Sequence, residues 1–140
     1  MTTAIDTNVV IALWDEDPTL SGLTQAALEE AFRRGNLIIA APVFAELMAA
    51  PGRTEAFVTS FLEETAIAVD WNLDQSVWKA AGRSFQVYAQ RRRKHRDSGP
   101  RRILADFLIG AHAQVRGYRL LTLDEHLYRA AFPTLTVETI

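Results

Sequence analysis

The chain has 140 residues, 49% of them hydrophobic, and a net charge of −2 at pH 7. That size and composition suit one globular core and argue against disorder. Cysteine is absent, which excludes disulfides and thiolate metal sites and leaves oxygen or imidazole as the ligands for any metal. The opening MTTAIDTNVV carries no basic n-region and no small-residue cleavage site, and no apolar run approaches the roughly 20 residues needed to span a bilayer. The expectation is a soluble cytoplasmic protein with no membrane partner.

Short apolar runs alternate with longer helix-like stretches, the pattern of an α/β domain with a parallel sheet. A short strand, Thr3 to Ile5, ends at Asp6, and a helix follows to Trp14 before the Asp15–Pro18 break. A second helix is expected from Ser21 to Arg34, with Ser21 as N-cap and Leu23, Ala27, Leu28 and Ala31 on one side. Gly35 closes it. Leu37 to Ala41 reads as a strand buried on both faces. Pro42 suits the first position of the next helix, which carries Val43, Phe44, Glu46, Leu47 and Met48. A helix over Thr54–Glu64 and a strand over Ala66–Val69 come next. The long stretch from Asp74 to Lys94 has a stripe of Val77, Ala81, Phe85 and Tyr88 at helical spacing. Asp97–Pro100 is a turn, with Ser98 or Gly99 capping a helix from Arg101 to Arg116 that Gly117 ends. Tyr118–Leu121 is the fourth strand. Thr122–Glu125 matches a capping box for a short final helix, and Leu135–Val137 is an edge strand. The expected architecture is a single domain over residues 1–140, with a twisted parallel sheet of four to five strands flanked by helices.

Four acids occupy special places in this pattern. Asp6 and Asp124 follow strands one and four, Glu46 lies at the start of the helix after strand two, and Asp106 lies early in the helix before strand four. In a parallel sheet the ligand crevice sits outside the carboxyl ends of the strands, where the winding direction switches. Four carboxylates distant in sequence can therefore converge. Gathered carboxylates repel and raise one another's pKa, and a hard divalent cation relieves this. A set without histidine or cysteine suits Mg²⁺, or Mn²⁺, better than Zn²⁺. Such ions activate water and stabilise the leaving oxygen in phosphodiester cleavage. Each acid also has a plainer role: Asp6 and Asp124 as helix caps, Asp106 as a dipole partner, Glu46 as a solvated helix residue. Ile103, Asp106, Gly110 and Ala113 share a face, and the small residues behind the acid suggest room for an ion or substrate.

The combination resembles the PIN-domain family, and within it the VapC-type toxins. Asp6-Thr7-Asn8-Val9-Val10 resembles the family's opening motif, and Pro42-Val-Phe-Ala-Glu46 the segment with its glutamate. Arg102-Ile-Leu-Ala-Asp106-Phe-Leu-Ile-Gly110-Ala-His-Ala113 resembles its third acidic motif. Leu120-Leu-Thr122-Leu-Asp124, followed by Tyr128 and Phe132-Pro133, resembles its C-terminal signature. The resemblance spans essentially the whole chain. It implies a Mg²⁺- or Mn²⁺-dependent endoribonuclease acting as a toxin, forming homodimers and inhibited by a cognate antitoxin. Asp6 and Asp106 would be the most direct metal ligands, Glu46 and Asp124 would complete the acidic pocket, and Asn8 and Thr122 would orient carboxylates or phosphate. Some members carry a further acid after the position of Asp124; here Glu125 and His126 follow.

Seven of the 15 basic residues fall between Arg91 and Arg102. Arg91, Arg92, Arg93, Arg96, Arg101 and Arg102 are candidate RNA-phosphate contacts, or alternatively a solvated helix end. His112 reads as a packed or partner-facing residue, and Trp14, Trp71 and Trp78 as core or interface. Exposed apolar residues around Leu47, Met48 and Phe57 could form a groove for an antitoxin segment. Two competing functions stay open. One is a non-catalytic module with the same fold that binds RNA or protein. The other is a metal-dependent phosphohydrolase acting on DNA or a small phosphoester.

Overall fold

The computed structural model describes residues 1–95 and 102–140. The expected Asp97–Pro100 turn, its caps Ser98 and Gly99, and Arg96 and Arg101 lie outside the described residues. Five strands form one sheet in the order β3-β2-β1-β4-β5, every neighbouring pair parallel. They are β1 (Thr2–Ile5), β2 (Asn36–Ala40), β3 (Ile67–Asp70), β4 (Arg119–Leu121) and β5 (Val137–Glu138). Seven helices flank them among the described residues: α1 (Thr7–Leu13), α2 (Pro18–Arg34), α3 (Ala41–Met48), α4 (Glu55–Glu64), α5 (Gln75–His95), α6 (Leu104–Arg116) and α7 (Glu125–Ala131). None of the helices among these residues is long and apolar enough to cross a membrane.

From β1 the chain steps one way to β2 and β3, then returns across the sheet to β4 and β5. The reversal places a switch point between β1 and β4, where such sheets open a crevice at the carboxyl ends. The Asp6 amide donates to Leu121 O at 3.0 Å, holding the end of β1 against the end of β4. Ile5, Ile39 and Leu120 fill the sheet, with Val9, Val10, Val43, Leu47, Val77, Phe107 and Ile109 packed from the helices, all essentially buried. α5 meets α6 through stacked Phe85 and Phe107 rings, centroids 4.8 Å apart.

Several local expectations are corrected. Helix α2 begins at Pro18, not Ser21, because Asp17 accepts from Thr19 N at 2.9 Å and Pro18 starts the first turn. Leu23 is exposed, and Thr24 takes its place on the buried face with Leu28 and Ala31. Helix α6 begins at Leu104, with Ile103 as its N-cap, rather than at Arg101. Its other end is as expected: Gly117 adopts φ 72°, the left-handed conformation that glycine adopts without strain. Leu47 is core rather than groove, leaving only Met48 and Phe57 of that trio exposed. Of the two readings for Trp71 and Trp78, their exposure excludes core and leaves interface.

Candidate functional site

Asp6, Glu46, Asp106 and Asp124 line one cleft of about 460 Å³, with Thr7, Asn8, Ile11, Ala12, Asp15, Leu20, Leu123 and Tyr128. Each acid is delivered by a different local device. Asp6 leaves β1 and caps α1, its Oδ1 accepting from Thr7 N at 2.7 Å. Glu46 stands on α3, one and a half turns beyond the end of β2. Asp106 sits in the first turn of α6 and reaches back to accept from Ile103 N at 3.3 Å. Asp124 precedes α7 just past β4. The N-termini of α1 and α6 both meet acidic side chains here, where anions are favoured.

Asp6 is almost fully buried, and burial pushes its carboxyl from 3.8 up to about 6. Hydrogen bonds from Thr122 and Thr7 oppose that rise, and the charge of Asp106 adds to it. Thr122 Oγ1, itself buried, donates to Asp6 Oδ2 at 2.7 Å and accepts from Asp124 N at 2.9 Å. The expected Thr122–Glu125 capping box is therefore absent: Thr122 serves Asp6, and Asp124, the N-cap of α7, makes no side-chain cap. Asn8 Oδ1 accepts from Leu123 N at 3.1 Å and Asn8 Nδ2 donates to Thr122 at 3.4 Å. Asn8 thus clamps the loop that carries Asp124 rather than touching a carboxylate. Burial also raises the Asp106 carboxyl, against the Ile103 amide and the charge of Arg102, and with the charge of Asp124.

Sequence reasoning missed three contributors. Thr7 Oγ1 donates to Glu46 Oε1 at 2.6 Å, bridging α1 to α3 over 39 residues. Tyr128 is fully buried, and its hydroxyl approaches Asp6 without reaching full hydrogen-bond geometry. Burial and the charges of Asp6, Asp106 and Glu46 all raise that phenol, so it faces the acids. Asp15, read from sequence only as a helix breaker, lines the cleft. No periodicity announces such pairings; the signal for Thr7 and Tyr128 was their place in the opening and C-terminal motifs, which gave them no role. Glu125, by contrast, ion-pairs with Arg129 at 3.1 Å. The space expected behind Asp106 does not exist either. A methyl group on Gly110 would lie 2.2 Å from the Phe132 ring, so the glycine admits an aromatic side chain rather than a ligand.

Of the basic run, Arg91 and Arg93 are exposed on α5. Arg92 Nη1 approaches Tyr88 Oη at 3.4 Å. Arg102 turns inward and pairs with Asp124, Nη1 to Oδ2, at 2.5 Å. The donors facing the cleft are all oxygens, which fits a hard divalent cation. Glu46 Oε2 makes no hydrogen bond among the described residues, while Asp124 is engaged by Arg102 through Oδ2. Among the described residues no three acid or histidine groups stand close enough to form a ready-made cation cage. Carboxylates without a cation between them repel and turn to other partners. The charge of Asp106 reaches the buried Asp6 carboxyl across the cleft.

Comparison with curated protein sequences returns no match. Among solved structures, VapBC2 from Rickettsia felis bound to a promoter DNA fragment aligns at 18% identity with a TM-score of 0.73, over 99% of this chain and 98% of that one. VapBC-1 from nontypeable Haemophilus influenzae aligns at 16% identity with a TM-score of 0.68, over 99% and 98%. FitAcB from Neisseria gonorrhoeae aligns at 20% identity with a TM-score of 0.59, over 96% and 95%. At these identities the likeness is one of fold. The family profile described as PIN domain matches residues 3–133. With that match spanning nearly the whole sequence, and with the parallel sheet and its acidic cleft in place, the chain belongs to the PIN domain family.

Proposed function

We propose that this protein is a metal-dependent endoribonuclease and the toxin of a toxin–antitoxin pair. The observation that carries the reading is the gathering of Asp6, Glu46, Asp106 and Asp124 around one cleft at the β1/β4 switch point. Support for the toxin role comes from the fold neighbours, which include VapBC assemblies and a toxin–antitoxin complex from Klebsiella pneumoniae. The chain would work as one unit in the cytoplasm, as a homodimer, restrained by a cognate antitoxin.

Asp6 and Asp106 would hold Mg²⁺ or Mn²⁺, with Glu46 and Asp124 closing the set directly or through water. Such an ion acidifies water and neutralises charge developing on the phosphate. The chain's own residues supply the rest. Thr7 orients Glu46, and Thr122 holds Asp6 while fixing the start of the Asp124 loop. The raised carboxyl of Asp6 lets an ion-free site take up a proton as pH falls toward 6, and a bound cation would oppose that uptake. Arg91, Arg92, Arg93, Arg96 and Arg101 would draw RNA phosphates toward the cleft.

A second reading is a PIN-fold module that binds RNA or protein without cutting. The Arg102–Asp124 pair and the lack of a closed three-carboxylate set among the described residues favour it. Purified protein incubated with mixed cellular RNA in Mg²⁺, Mn²⁺ or chelator separates the two. Discrete fragments that vanish with chelator and with Asp106→Asn support the nuclease. RNA retention without cleavage by folded, antitoxin-free protein supports the module. Parallel reactions on single-stranded DNA and a chromogenic phosphodiester define the substrate class.

A further inference from the structure

We propose that Arg102 is the cleft's own counter-ion, seated on Asp124 until a divalent cation displaces it, so that cation entry also frees a guanidinium for the substrate phosphate. The inference rests on the metal-dependent reading above and adds an exchange step to it. Its basis is geometric. Arg102 Nη1 lies 2.5 Å from Asp124 Oδ2, and both side chains are about one-third exposed, at 32% and 30%. The arginine is no free surface side chain. Its backbone amide donates to Tyr88 Oη at 2.8 Å, and Tyr88 packs on Phe107, ring centroids 5.4 Å apart. That anchorage ties the start of the α6 segment to α5, and the guanidinium meets the cleft through Asp124. Its charge reaches Asp106 as well as Asp124. A single fixed cation thus compensates two of the four acids.

The strength of the pair suits exchange. A partly exposed ion pair is weak and screened by salt, so a divalent ion that engages several carboxylates at once outcompetes it. A buried pair in the same place would resist displacement. Guanidinium also matches phosphate geometry with its planar fork. Arg102 and the ion therefore compete for Asp124 but cooperate on a polyanionic substrate.

The test is Mn²⁺ titration of the full chain without RNA, by calorimetry and by loss of the free-ion paramagnetic resonance signal. Arg102→Gln should bind Mn²⁺ about fivefold more tightly than wild type, the scale of an exposed ion pair. Arg102→Lys keeps the charge and should stay within about twofold of wild type. In an Asp124→Asn background the Arg102→Gln gain should shrink, since the partner is gone. Arg102→Gln should also weaken single-stranded RNA binding in Mn²⁺. Thermal unfolding of each variant establishes that it is folded. Unchanged or weaker Mn²⁺ binding by folded Arg102→Gln overturns the exchange while leaving the metal reading intact. No Mn²⁺ binding by any variant overturns both. The expected tightening with no RNA cleavage by any variant leaves the exchange standing and removes the nuclease.

Discussion

Two regions at the carboxyl edge of the same sheet collect aspartates and treat them in opposite ways. At the β3 edge, Asp70 Oδ2 meets His112 Nε2 at 3.0 Å and Arg116 Nε at 3.4 Å, and Arg116 also bonds Asp74 and the Asn72 carbonyl. Burial pushes the Asp70 carboxyl up, but the Asn72 amide, His112 and Arg116 together bring it below 3.8. Asp74 falls to about 2, held first by Ser76, then by Arg116 and the Val77 amide. At the β1/β4 switch point burial prevails instead, and Asp6 rises to about 6. The first region is finished within the chain, every acid matched to a donor. The second is left short of positive charge, with Arg102 as its single fixed cation among the described residues. Residue type does not separate these two clusters; the balance of donors and burial around them does.

The largest effect should come from Asp6→Asn, which would abolish RNA cleavage in gel assays. Its ion-free stability runs the other way. A carboxyl whose folded pKa lies above its unfolded value costs stability as pH rises from about 4 through 6, here on the order of 3 kcal/mol at pH 7. Asn removes that penalty and can still cap Thr7, so urea unfolding at pH 7 without metal should show equal or higher stability. A clear loss would recast Asp6 as mainly a cap.

His112→Ala should do the reverse. His112 is fully buried, bonded to Asp70 and edge-on to Tyr118 with centroids 5.6 Å apart, so truncation should lower stability by about 2–4 kcal/mol. Mn²⁺ affinity, measured well below the unfolding transition, should not move. If it falls with stability, the two regions are not independent.

Thr7→Val sharpens the contrast from within the cleft. It removes the hydroxyl that orients Glu46 and should weaken Mn²⁺ binding about tenfold with little change in unfolding, as for lost outer-shell partners elsewhere. Unaltered affinity would take Glu46 out of the ligand set. Asp74→Asn should have the smallest effect. A depressed carboxyl stabilises above its unfolded pKa and that contribution fades as pH falls from about 4 to 2. The variant should unfold slightly more readily at neutral pH and lose this part of the acid-side slope.

Much of the site was legible because its acids sit at element boundaries. Asp6 follows an apolar run, Asp124 follows another, and Asp106 opens a helix that Gly117 closes; local patterning marks all three. The misreadings share a cause. Ser21 looked like a cap, but Asp17 with Pro18 starts the helix a turn earlier. Thr122 matched a capping box, yet a buried carboxylate 116 residues away claims its hydroxyl. Gly110 looked like room for an ion until Phe132 filled it. In the first two a polar group was claimed by the partner that was nearer or more costly to leave unpaired, and in the third a distant ring filled the space, so all three turn on contacts made by the fold.

By itself the sequence determined the alternation of strands and helices, the parallel sheet and the order of the four acidic segments, because hydrophobic period and end signals are local properties. Tertiary structure alone decided that Thr7 serves Glu46, that Tyr128 turns its buried hydroxyl toward the acids, and that Arg102 occupies Asp124. Those choices depend on which groups meet across the β1/β4 seam and between helices, and on how much water they lose there, which no local pattern encodes.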